Sequence, residues 1–246
     1  MRRCTIVIPT KIVAFLKQAI ESIIYTHEDS EAWEIIVIDD GLTERPAYHH
    51  NIKYLEGKKP FCFARNVNIG IASAGSDSDV FLMNDDTFFI TKDGLSMLRE
   101  AICKNGRLGI VTPVFTYPER TPAQRLSHLN PAHGLWIERD RYLTFAAAYL
   151  RRELIDEIGY LDEAFTGYGY EDNDYCLRSV LADYELGVLP SVVMGHGNEY
   201  GKASLTFRTL PDIPDNRGLF VMKWSSKLFG IGEEHKDQLI RFLGFI

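Results

Sequence analysis

The sequence predicts an α/β protein: one domain built on a mostly parallel central sheet flanked by helices. Three observations lead there. Residues 4–8 and 34–38 are short apolar runs rich in β-branched side chains, and a stretch with helical spacing lies between them, so strand, helix and strand follow one another. A further apolar run, Val80-Phe81-Leu82-Met83, ends abruptly in Asn84-Asp85-Asp86, as a buried strand does when it reaches the open edge of a sheet. The chain has 246 residues, 46% of them hydrophobic and 25% charged, an ordinary globular composition that can bury a sizeable core.

The formal net charge of -7 argues against a nucleic-acid partner, because phosphate binding is carried by Lys and Arg. Cys4, Cys62, Cys103 and Cys176 are scattered without Cys-x-x-Cys spacing and read as reduced packing residues. Arg2 and Arg3 precede an apolar run too short for a signal peptide, and no segment approaches the ~20 apolar residues of a membrane span. The expectation is a soluble, cytoplasmic protein.

Taken in order, residues 4–8 make the first strand, closed by Pro9-Thr10. Phe15, Leu16, Ala19, Ile20, Ile23 and Ile24 then recur at helical spacing and leave Lys17, Gln18 and Glu21 outside, predicting an amphipathic helix. Residues 34–38 make the second strand, closed by Asp39-Asp40-Gly41. Residues 43–57 are polar and read as loop or short helix, with 52–55 a candidate short strand. Ala64, Val67, Asn68, Ile71 and Ala72 share one face of a helix over 63–75. Arg65 stands in its first turn, where the helix dipole prefers acids; that hints at a ligand, with a surface Arg as the plain alternative. Leu95, Leu98, Ala101 and Ile102 mark a helix, and residues 108–114 a strand broken by Pro113. Residues 116–141, rich in Pro, His and Arg, read as a functional or flexible loop. Residues 142–150 form a β-like run feeding a helix over 152–158, closed by Gly159. Residues 188–194 are the last clear strand. The tail holds Leu239, Ile240, Phe242 and Phe245, an apolar set suited to docking on the domain or on a second subunit.

In parallel sheets ligands sit beyond the carboxyl ends of the strands. That sets Thr10, Asp39, Asp40, Asp85 and Asp86 along one rim. Paired acids at a strand tip suit a cation, although Asn-Asp-Asp-Thr is also good turn chemistry. A second chemical stretch is Gly167-Tyr168-Gly169-Tyr170-Glu171-Asp172-Asn173-Asp174, a loop of glycines and aromatics in which three acids open a helix. Acids in a first turn stabilise it by ~0.3–1 kcal/mol each, and capping needs one or two of them. Three acids flanked by Gly and Tyr suggest that a carboxylate is held out toward a ligand. His196 sits past the last strand between Gly195 and Gly197, which would let backbone and metal approach closely.

These pieces together resemble an inverting glycosyltransferase of the GT-A (Rossmann-like) fold, nearest family 2, with a second likeness to the β-1,4-galactosyltransferase group. The resemblance rests on Val7-Ile8-Pro9-Thr10, Val37-Ile38-Asp39-Asp40-Gly41, Ala64-Arg65-Asn66 with Asn84-Asp85-Asp86, and Gly169-Tyr170-Glu171-Asp172-Asn173-Asp174, and spans about residues 4 to 196. It implies that Thr10, Asp39 and Asp40 hold the base and ribose of a sugar nucleotide, with Arg65 near the nucleotide and Asp85 at the ribose or donor sugar. Asp86 and His196 would ligate a divalent cation, Mn²⁺ or Mg²⁺. Asp172 would be the catalytic base and Glu171 would bind acceptor hydroxyls. The expected activity is hexosyl transfer from a nucleotide-diphosphate sugar, a UDP-sugar first, to a saccharide or other hydroxyl acceptor. His128, His133 and Trp136 are candidates for lining the acceptor site, since Trp stacks on a sugar ring.

The family's first acid of Asp-x-Asp is Asn84 here, and Lys11-Ile12 replaces its usual polar-aromatic pair. The expected organisation is a glycosyltransferase domain over 1–198, divided near 112 into nucleotide-binding and acceptor halves, then a lid loop and helical extension over 199–246 that could pair two copies of the chain. Two other readings stand beside this one. A sugar nucleotidyltransferase needs a glycine-rich phosphate loop, which Ile8-Pro9-Thr10-Lys11 lacks. A non-catalytic sugar or sugar-nucleotide binding module needs no base.

Overall fold

The computed structural model describes residues 2–28, 32–116, 122–125, 132–167, 169–197, 215–227 and 230–244. Strand β1 (Arg3–Thr10) lies inside the sheet, parallel to β2 (Trp33–Asp39) on one side and β4 (Ser78–Met83) on the other. Its alternation places Ile6 and Ile8 in one core and Val7 in the other, as the period of two in a strand requires. Pro9 and Thr10 belong to the strand and pair with Ile38 and Asp39, whereas pairing to β4 has already ended at Val7. The missing N–H of Pro9 therefore costs no ladder bond on that side.

The sheet runs β3 (Ile52–Glu56), β2, β1, β4, β8 (Ala147–Leu150), β6 (Leu108–Phe115), β9 (Glu185–His196) and β5 (Thr87–Phe89), with β7 (Trp136–Glu138) also on β9. Strand β8 is antiparallel to both neighbours, and β5 and β7 are antiparallel to β9; the other pairings are parallel. Helices α1 (Val13–Thr26) and α3 (Gly94–Lys104) cover one face through Leu16, Ile20, Ile23, Leu95 and Leu98. The other face is covered by α2 (Phe63–Ser73), α4 (Arg152–Ile158) and α5 (Glu171–Leu181), with α6 (Asn216–Ser225) and α7 (Glu233–Gly244) packed beside them. Gly70 lets α2 sit directly on β1, because a Cβ there would stand 2.3 Å from Val7 Cγ1.

Several boundaries differ from the expectation. The run 142–150 is strand only from Ala147, because the preceding residues bond to side chains: Leu143 N–H to Cys176 Sγ and Thr144 N–H to Gln124 Oε1. Strand β9 starts at Glu185 and includes His196, which pairs with Thr87 and so does not lie beyond the strand. The flanking glycines have local reasons. A Cβ on Gly195 would stand 2.1 Å from the Phe88 ring, and Gly197 has a φ of 85°. Leu239 and Phe242 are buried in the chain's own core, while Ile240 is exposed. Among the described residues no helix is long and apolar enough to cross a membrane. His128, Tyr168, Phe245 and residues 201–214 of the expected lid over 201–218 lie outside the described residues, while residues 216–218 of it open helix α6.

Candidate active site at the carboxyl ends of the strands

The rim begins where β1 and β2 end. Asp39 closes β2, and its carboxylate accepts from the N–H groups of Gly41 (3.0 Å) and Leu42 (2.8 Å) and from Arg45 Nε (2.7 Å). Burial would raise this carboxyl, but the bonds from Leu42, Arg45 and Gly41 outweigh it and hold Asp39 below the ordinary range. Asp40 donates its N–H to Thr10 O (2.8 Å), and its buried carboxylate takes Asn66 Nδ2 (3.1 Å) and Lys59 Nζ (2.7 Å). Residue 57 must be small there, since a Cβ would press on Asn66 Nδ2 at 3.0 Å and on Asp40 Oδ1 at 3.2 Å. Arg65 donates from Nη2 to Pro60 O (2.8 Å), and its Nε is buried without a hydrogen-bond partner.

Asn84, Asp85, Asp86 and Thr87 form a turn closed by Thr87 N–H on Asn84 O (3.1 Å), so the turn chemistry and the acid pair are one object. Thr10 Oγ1 donates to Asp85 Oδ2 (2.7 Å), across a separation of 75 residues. Burial pushes the Asp85 carboxyl up to about 7; the Thr10 bond and the N–H groups of Lys11 and Ile12 oppose this, and the charge of Asp86 adds to it. Asp86 Oδ1 lies 3.6 Å from His196 Nε2, and Asp86 O accepts from Gly197 N–H (2.9 Å). This contact follows from register, since β5 carries the turn to the end of β9.

Among the described residues no three His, Cys, Asp or Glu side chains gather into a closed metal cage. One carboxylate and one imidazole nevertheless fit a divalent cation whose remaining ligands are phosphate oxygens and water. An imidazole nitrogen in the set favours Mn²⁺ over Mg²⁺.

The three acids of α5 prove to have three environments. Asp174 is fully buried and paired with Arg178 (2.9 Å) and Lys223 (2.6 Å), so it is not a carboxylate held toward a ligand. Glu171 is 2% exposed, and its Oε2 is buried with no hydrogen-bond partner. Asp172 alone is partly exposed, its Oδ1 accepting from Asn173 N–H (2.8 Å). The loop before α5 is tied to the start of α2 by Phe63 N–H on Gly167 O (2.8 Å), which sets it beside the helix end that carries Arg65 and Asn66. A second tie runs from Leu143 N–H on Cys176 Sγ (3.4 Å) to Asn84 N–H on Ala146 O (2.8 Å). The chain between those anchors spans at most ~11 Å.

Burial, then the neighbouring charge of Asp172, raises the Glu171 carboxyl well above the ordinary glutamate range. The folded protein thus keeps this proton at pH values where the unfolded chain has lost it, and stability falls as pH rises above that ordinary range. Glu171→Gln should remove this loss. Its melting temperature should match wild type near pH 4 and exceed it at pH 8, where each ~1 kcal/mol is worth about 2–4 °C for a chain of this size. A difference that does not change with pH would refute the assignment.

Sequence reasoning gave no role to Lys59, Asn66 or Arg45, although each bonds a predicted site acid. Asn66 had a signal, since it follows Arg65 on the turn of α2 facing the rim. His133 and Trp136 are exposed, Trp136 on β7 against the amino-terminal half of β9, away from the acid turn at the other end of that strand.

The fold, with its strand order and its acids at the carboxyl ends of the strands, is that of the GT-A glycosyltransferases. Residues 5–162 match Glycosyl transferase family 2, and the chain belongs to that family. Three solved structures share the fold. A crystal structure of GalNAc-T7 with UDP, GalNAc and Mn²⁺ superposes with a TM-score of 0.71 at 13% identity, over 92% of this chain and 50% of that one. Mannosyltransferase PcManGT from Pyrobaculum calidifontis, in complex with GDP-Man and Mn²⁺, gives 0.69 at 15% identity, over 99% and 70%. S. aureus TarS 1-349 in complex with UDP-GlcNAc gives 0.73 at 14%, over 97% and 70%. The uncharacterized protein y4gI of Sinorhizobium fredii (strain NBRC 101917 / NGR234) is 24% identical over 249 residues, which cover 88% of this chain and 26% of that protein. The chain thus spans about a quarter of that relative.

Proposed function

We propose that the protein transfers a sugar, a hexose in our reading, from a nucleotide-diphosphate sugar to a hydroxyl acceptor, with inversion at the anomeric carbon and with Mn²⁺ or Mg²⁺ as its metal. The observation that carries this reading is the contact between Asp86 and His196, 3.6 Å apart at the ends of different strands and beside the Thr10–Asp85 bond. Structures sharing the fold support the ligand class: they were solved with UDP or GDP-Man together with Mn²⁺, or with UDP-GlcNAc. A UDP-sugar is the first donor to try.

Held by Asp86 and His196, a divalent cation would supply positive charge for the departing nucleoside diphosphate. The chain does the rest. Thr10, Asp39 and Asp40 form the end of the rim assigned to base and ribose, with the unpartnered Nε of Arg65 as a donor nearby. Asp85, tied to Thr10, stands between that end and the metal pair. Asp172, the partly exposed acid of α5, takes the proton of the acceptor hydroxyl as that oxygen attacks the anomeric carbon opposite the leaving group. Glu171, buried beside it, retains its own proton and belongs in our reading to the acceptor side of the site. Two neighbouring carboxyls in unlike environments can in this way divide base and hydrogen-bonding roles.

Thermal melts with UDP-, GDP- and dTDP-sugars, each with and without Mn²⁺, test the reading. One nucleotide sugar should raise the melting temperature only when the metal is present, because a ligand at 100 times its Kd stabilises the folded state by about 2.7 kcal/mol. No Mn²⁺-dependent shift with any of the three nucleotides would count against it.

A further inference from the structure

Asp174 has no part in the proposed chemistry, yet its carboxylate is the most heavily bonded of the three acids in α5. One oxygen accepts from Lys223 Nζ (2.6 Å) and Trp224 Nε1 (2.9 Å), and the other from Arg178 Nε (2.9 Å). Lys223 also reaches Asp162 Oδ2 (2.7 Å). An acid serving the helix dipole alone would be solvated; this one is fully buried, and two of its donors come from α6.

The same helix holds the loop that leads into α5. Asn216, the first residue of α6 and 4% exposed, donates from Nδ2 to Thr166 O and Gly169 O, both at 2.9 Å. Phe220 is fully buried, with ring centroids 5.9 Å from Tyr170 and 6.4 Å from Phe165. Tyr170, immediately before Glu171, has a φ of 72°. A bulky side chain keeps a left-handed backbone only where its surroundings enforce it. Gly167 and Gly169, with φ of 70° and 104°, give the same loop little stiffness of its own. One face of α6, running from Asn216 through Phe220 to Lys223 and Trp224, therefore holds the Glu171-Asp172 turn at both its ends, through the carbonyls before it and the carboxylate after it.

We infer that α6 is the positioning element of the proposed active site, with Asn216, Lys223 and Trp224 as positioning residues that set where Asp172 stands. The inference rests on the transfer reaction proposed above. A base works only within hydrogen-bond reach of its proton, and a misplacement of ~1 Å can cost about 10²-fold in rate. Sugar-nucleotide binding is assigned to Thr10, Asp39 and Asp40, whose side chains bond Asp85, Arg45, Lys59 and Asn66 rather than α6, and should not feel that helix.

Two variants test this. Trp224→Phe keeps an aromatic ring in the core and removes the N–H on Asp174 together with part of the ring's volume. Asn216→Ala removes both carbonyl contacts. The expected result is a loss in transfer kcat of about tenfold for Trp224→Phe and up to about 100-fold for Asn216→Ala, with donor KM within about twofold of wild type. Amide hydrogen exchange across residues 169–175 should be faster in both. Wild-type kcat in Trp224→Phe and Asn216→Ala would overturn the inference, as would a lower kcat with unchanged exchange in that segment. If wild type itself transfers no sugar, the proposed reaction fails and exchange alone decides: unchanged exchange in both variants overturns the role of α6, and faster exchange upholds its hold on the loop.

Discussion

Asp172→Asn should retain Mn²⁺-dependent nucleotide binding and lose sugar transfer by about 10²–10⁴-fold, the range a positioned general base contributes. The substitution keeps the shape of the side chain, and its oxygen can still accept from Asn173 N–H, so the first turn of α5 has no reason to unwind. What it removes is the only site on that side chain able to take a proton. The Thr10–Asp85 bond and the Asp86–His196 pair are made by other side chains, which the substitution leaves unchanged. Calorimetric titration with UDP and Mn²⁺ alongside a transfer assay separates the two effects. A protein that only binds sugar nucleotides would lose nothing, and unchanged transfer would end the role assigned to Asp172.

The second large effect concerns the metal. Asp86→Ala and His196→Gln should each weaken Mn²⁺-dependent nucleotide binding by about 100-fold or more, since replacing even an outer partner of a metal ligand costs about 10–100-fold. The weak affinity measured in chelator should stay close to wild type, because base and ribose are assigned to other residues. His196 pairs with Thr87 through backbone atoms, which the side-chain change leaves in place. If both variants bind UDP with the same dependence on Mn²⁺ as wild type, the cation is held elsewhere.

Much of this architecture is legible in the chain. A run such as residues 35–38 is apolar at successive positions because the strand is buried on both faces, and helix α1 shows its period because one side meets water. The rim of acids follows from that, since a strand tip is where such a run stops. Strands β5 and β7 escaped notice because three residues are too few to display a period. The start of β9 escaped because Glu185 and Gly187 break the apolar pattern: Glu185 meets Asn105, and a Cβ on Gly187 would strike Leu108 at 2.7 Å.

The sequence by itself determined the α/β class, the strand tips at which Thr10, Asp39 and Asp85 stand, and the acid-rich opening of α5, because hydrophobic period and local turn chemistry act between near neighbours. Only the tertiary structure decided how the acids divide their work. Asp39 is taken up by Arg45, Asp40 by Lys59 and Asn66, Asp174 by Lys223 and Trp224, and Asp86 is left facing His196. Those partners stand from 6 to 50 residues away or more in the chain. Whether a carboxylate is buried, paired or presented depends on which distant side chains the packed helices and sheet register bring to it, and no local pattern encodes that.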